Sequence, residues 1–160
     1  MSESQFGQLK AMTVKAGDTA DFFFNEIEGI PQLTCLPATN INKPFLNAVL
    51  KQSKEAARKA RALRKVKGKK QDEAATDAAI ARARKEDVEL FVSYIVQGWE
   101  DVFNVEGEPV EFNEENCRDF LNAIPPEMFN DLRVFCLDIR NFRPDVEEMD
   151  ADEQEDLSGN

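Results

Sequence analysis

The stretch VELFVSYIVQGWEDVFNVEGEPVEF, residues 88–112, decides the fold. Val88, Phe91, Val92, Ile95 and Trp99 recur at i, i+3, i+4, i+7 and i+11, the apolar stripe of an amphipathic helix. Gly98 falls near the end of that stripe, where a residue without Cβ stops a helix. The second half reads as a β-hairpin over residues 102–112. Val102, Phe103 and Val105 precede the turn Glu106-Gly107-Glu108-Pro109, and Val110 and Phe112 alternate after it. Asn113 then stands where the next helix needs an N-cap. The predicted core is Phe45, Leu46, Phe91, Ile95, Trp99, Phe103, Pro109, Phe112, Phe120, Phe129 and Phe135, whose large apolar side chains belong inside.

The helical pattern continues after this stretch. Cys117, Phe120, Leu121 and Ile124 stripe one helix, which Pro125-Pro126 ends, with Pro126 suited to the first position of its successor. Ile124 and Phe129 occupy the two positions of a hydrophobic staple. Met128, Leu132, Phe135, Cys136, Ile139 and Phe142 form the last stripe. From Arg143 the sequence RPDVEEMDADEQEDLSGN is acidic and almost free of large apolar residues, the composition of a disordered tail. It lacks the alternating ligands and central glycine of an EF-hand loop.

On the N-terminal side, residues 1–40 read as a β meander packing on the helical domain. Its strands are expected at Met12–Val14, Asp21–Ile27 and Gln32–Leu36, with turns at Gly17-Asp18 and Glu28-Gly29-Ile30-Pro31. Phe22, Phe23 and Phe24 in succession must point to both faces of a strand, which is either covered on both sides or leaves one face available to a partner. Asn42 is a good N-cap for a helix with Pro44 in its first turn. That helix starts apolar at Phe45, Leu46, Val49 and Leu50. It then becomes basic from Lys51 to Lys70, with a break expected at Gly68 and an Ala-rich helical arm over residues 71–87. The organisation is therefore a meander (1–40), a helix with a basic arm (41–87), a helical core with its hairpin (88–142) and an acidic tail (143–160). The fold class is mainly α within α+β.

The 160 residues carry a net charge of −11, which opposes general binding to phosphate backbones. The basic Lys51–Lys70 stretch has no interleaved aromatics and no recognisable nucleic-acid module. Its alternatives are a solvated helical face, a contact with an acidic protein surface, or nucleic acid, the least favoured. The sequence has no histidine and three cysteines without CxxC spacing, so neither a zinc site nor the commonest general base is on offer. No catalytic constellation or cofactor motif is present, and an enzyme is the weakest reading. No apolar run reaches the roughly 18–20 residues of a membrane span, and MSESQFGQLK is no signal-peptide core. A cytoplasmic protein is expected.

Two blocks carry a family resemblance. Gly98-Trp99 followed by Gly107-x-Pro109-x-x-Phe112-x-x-Glu115-Asn116 resembles the block that leads into a helix in the tail assembly chaperones of long-tailed bacteriophages. PATNINKPFLNAVLK, residues 37–51, resembles an upstream segment of the same family, so the likeness spans much of residues 37–121. The sequence departs from the family in its long basic arm. The resemblance implies a non-catalytic adaptor that binds the tape measure protein and recruits tail tube subunits, acts in the host cytoplasm and is absent from the mature virion. The alternatives are a connector or completion protein retained in the tail, and a nucleic-acid-associated regulator using the basic arm. Phe22, Phe23, Phe24, Arg58, Arg61, Arg64 and Lys65 are the expected partner-binding residues. Self-association is a further expected contact, and no membrane partner is expected.

Overall fold

The computed structural model describes residues 7–65 and 73–143. A 3₁₀ turn at Gly7–Met12 precedes strands β1 (Ala20–Phe23) and β2 (Gln32–Cys35). Helices α1 (Lys43–Lys65) and α2 (Glu73–Tyr94) follow, then β3 (Val96–Glu100), α3 (Glu114–Ala123), α4 (Pro126–Leu137) and a closing 3₁₀ turn at Ile139–Phe142. The fold is mixed α+β and mainly helical, as the periodicities imply.

The three strands form one antiparallel sheet in the order β1-β2-β3. Strand alternation assigns its faces. Phe22 pairs with Leu33 and Leu33 with Trp99, a row across the inner face. Phe23 pairs with Gln32 and Gln32 with Glu100, a row across the outer face. Also outside, Thr34 donates from its hydroxyl to Asp21 at 2.9 Å. Leu33, Ile95, Leu121 and Leu132 are fully buried, each contributing about 2 kcal/mol through apolar area removed from water.

Several elements differ from the sequence expectation. Trp99 is not on the helix. The helix ends at Tyr94, and Val96–Glu100 pairs with β2 instead, the Leu36 amide donating to the Ile95 carbonyl at 2.8 Å. Helical spacing also carries the inner face of a strand for a few residues, so the 88–99 stripe hid this switch. Gly98 accordingly sits opposite Thr34 in the sheet and ends no helix. The third strand of the sheet is thus β3, while Met12 closes a 3₁₀ turn and Val14 lies in no strand. Strand β1 stops at Phe23, and the backbone turns through Gly29 and Ile30, both at positive φ.

The hairpin at 102–112 is reduced to one bridge, Phe103 with Pro109, closed by the Val110 amide donating to the Val102 carbonyl at 2.8 Å. Phe103 is 49% exposed and Pro109 is also exposed, so neither belongs to the core. The physical reason is that a two-stranded loop lying beyond the sheet has, among the described residues, no second layer to cover its outer side. Phe91, Ile95 and Phe129 are buried, and Phe45, Leu46, Trp99, Phe112, Phe120 and Phe135 are half-buried.

The helix ends behave as their sequences require. Asn113 accepts from the Asn116 amide at 2.7 Å, and Pro126 opens α4. Ile124 and Phe129 are both buried in the core cluster. The final stripe is interrupted at Asp138, whose carboxylate accepts from the Arg140 amide and pairs with its guanidinium at 2.7 Å. The expected break at Gly68 and the acidic tail after Arg143 lie outside the described residues.

Candidate functional site

An apolar groove opens where the start of α1, the C-terminal half of α2 and α4 meet. It encloses about 340 Å³ and is walled by Phe45, Leu46, Val49, Leu90, Phe91 and Leu137. Each helix supplies its wall through 3.6-residue periodicity: Phe45, Leu46 and Val49 share one face of α1, and Leu90 and Phe91 adjoin on α2. Phe91 holds the floor, making edge contacts with Phe45 at 6.4 Å and Phe129 at 5.3 Å between ring centroids.

The rim is polar. Thr39, Asn40, Gln52, Asp87 and Arg133 border the groove. Burial pushes the Asp87 carboxyl above its usual range, and the nearby Arg133 guanidinium partly opposes that. The Thr39 hydroxyl is buried without a hydrogen-bond partner among the described residues. An unsatisfied buried hydroxyl is costly. Behind the groove wall, Asn42 ties the start of α1 to the end of α2 and is itself buried. Its amide donates to the Pro37 carbonyl at 3.0 Å and to the Tyr94 carbonyl at 3.2 Å, while its oxygen accepts from the Phe45 amide at 3.3 Å. One side chain thereby caps the start of α1 and the end of α2.

A second cleft of about 250 Å³ lies at the free edge of β1, lined by Phe22, Phe23, Phe24, Asn25, Glu26, Met128 and Asp131. The three phenylalanines divide here. Phe23 is 49% exposed, whereas Phe22 packs on Phe24 and Phe135, at 4.9 and 5.2 Å between centroids. Phe24, one residue past β1, is buried against Phe120 and is no partner-binding residue, because its amide still donates to the Pro31 carbonyl at 2.9 Å and the strand's alternation carries on to put it on the inner side with Phe22. Arg58 and Arg61 are exposed on α1. Arg64 and Lys65 belong to the same helix, with side chains outside the described residues.

The three cysteines are free and buried. The Cys35 thiol is pushed well up, first by its hydrogen bond with Cys136 and then by burial, and burial pushes Cys117 up to about 12. Thiols held protonated inside a core are packing groups. Among the described residues no cluster of acidic or thiol groups could hold a metal ion, and no helix is long and apolar enough to cross a membrane.

A family model of YdaY prophage proteins matches residues 41–153, from the N-cap region of α1 through the closing 3₁₀ turn and beyond. The chain belongs to the YdaY prophage protein family. No curated protein and no solved structure matches it. Membership places the protein in a phage context, the coarser part of what the sequence resemblance implies. The YdaY match covers all three walls of the groove, while Phe22 and Phe23 fall before it. The groove's polar residues escaped the sequence reading. Asp87 and Arg133 lie 46 positions apart, and only the packing of α2 on α4 gives them a common rim.

Proposed function

We propose that this YdaY prophage protein is a phage tail assembly chaperone, an adaptor that holds the tape measure protein and brings tail tube subunits to it. The observation that carries the reading is the groove between α1, α2 and α4. Its apolar walls, with polar groups at the rim, suit one face of an amphipathic helix. A tape measure protein offers an extended helical client of that kind. The prophage family supports a phage role in general, and the resemblance of the two sequence blocks around residues 37–51 and 98–116 favours the chaperone within it.

Co-expression with the tape measure and tail tube proteins of the same prophage, followed by affinity capture, tests it. The YdaY protein brings down the tape measure protein and is missing from purified particles. Leu137→Glu places a charge in the groove wall at a half-exposed position. That variant melts as the parent does and loses at least tenfold in client capture. Presence of the protein in mature particles would instead assign it to the retained tail components.

A further inference from the structure

No position from Ser53 to Ala62, in the distal half of α1, is buried or half-buried: all are exposed. Lys51, Lys54, Arg58 and Arg61 follow one another at intervals of three, four and three residues. On an α-helix that spacing places them in a single stripe. Lys43–Lys65 contains eight cations and one anion, Glu55. Among the described residues no acidic side chain forms an ion pair with Lys51, Lys54, Arg58, Lys59 or Arg61. A row of like charges that close repels itself, at some cost to the helix, unless an anion lies along it.

The matching anion is in the same polypeptide. Residues 144–160 hold eight acids and no Lys or Arg. We propose that the basic stripe of α1 is a docking surface for this acidic segment of its own chain. The proposal is independent of the chaperone reading. Reach allows it: 17 extended residues span about 55 Å, whereas Lys51 to Arg61 covers about 15 Å of helix. The point of departure favours it. Leu137, at the end of α4, shares a groove with Gln52, the neighbour of Lys51, and Phe142 packs back on Phe135 of α4 at 6.0 Å. The family match also spans α1 together with six of the eight acids. Docking in this way shields the stripe, so that a competing polyanion must displace the acidic segment first.

Zero-length carbodiimide coupling of the purified full-length protein, read by peptide mass mapping, tests the contact. Amide links from Lys51, Lys54 or Lys59 to acids within 145–156 appear in the monomer band, and fall at least tenfold when salt rises from about 0.05 to 0.5 M, because exposed pairs are screened. The triple variant K54E/R58E/R61E retains the parental melting temperature and loses the links at Lys51 and Lys59. A full-length variant with the eight acids replaced by Asn and Gln binds poly-L-glutamate and duplex DNA at least tenfold more tightly than the parent. Links absent from the monomer band, or found in a dimer band alone, overturn the proposal. Equal binding of DNA by the parent and the neutralised variant also overturns it, and hands the stripe to nucleic acid.

Discussion

Asn42 joins three separate stretches of backbone through one side chain. It is a buried side chain whose two donors and one acceptor reach three backbone groups. Asn42→Ala leaves the Tyr94 and Pro37 carbonyls without this donor and costs about 2–3 kcal/mol, measured by urea unfolding. Asn42→Asp is the sharper test. Aspartate caps a helix as well as asparagine does, but here its carboxylate faces two carbonyl oxygens. It is expected to destabilise at least as much as alanine at neutral pH, and a tolerated Asn42→Asp would refute the double role. The capping half of this role was legible in the sequence, because Asn42 precedes Lys43-Pro44-Phe45 in the pattern of a helix start. The donor half was not, since Tyr94 is 52 residues away and only tertiary packing brings it there.

At the scale of the element, β3 shows how one pattern can serve two structures. Val96 and Trp99 continue the helical stripe of Val88, Phe91, Val92 and Ile95, yet the β2 edge offers a ladder of backbone partners that the helix end lacks. On β3, Trp99 contacts Phe112 and Phe120 at 5.2 and 5.7 Å between centroids and donates from Nε1 to the Val110 carbonyl at 2.8 Å. The indole therefore fastens the 102–110 loop to the sheet. Trp99→Ala is expected to cost about 3 kcal/mol, in line with large-to-small core changes. Trp99→Phe keeps the ring and loses the hydrogen bond, at about 1 kcal/mol. Circular dichroism must follow both, because this is the only tryptophan. Equal losses for the two variants would show that the ring contacts contribute little. By contrast, Phe103→Ser should move stability by less than about 0.5 kcal/mol, as exposed substitutions do. The sequence reading placed Phe103 in the core because alternation identifies a strand face without saying whether anything covers it.

For the whole molecule, stability against acid is set by carboxyls of opposite tendency. Glu89 is held below its usual range by the bidentate hydrogen bonds from Arg118, which joins α3 to α2. Asp138 is lowered to about 2 by its bonds with Arg140. Both contribute stability above their unfolded values, about 4.3 and 3.9, that is lost as pH falls through the lower folded values. Asp87 works the other way: its raised carboxyl imposes a penalty while ionised, relieved as pH falls. Asp87→Asn should therefore raise the urea midpoint at pH 7, and the gain should close below about pH 3.9. A midpoint lowered at pH 7 would mean that Arg133 outweighs burial. The mainly helical α+β class was legible in the sequence from its periodicities, but the membership of the sheet was not, because β2 pairs across the entire α1–α2 segment. That central strand has a kinetic consequence. Synthesis at about 5–20 residues per second leaves Cys35 waiting several seconds for Val96 to be made, and longer for the ribosome to release it. Until then the β2 edge of the nascent β1–β2 hairpin carries unpaired backbone N–H and C=O groups, so its safety during translation depends on how quickly the ribosome moves through the α1–α2 codons.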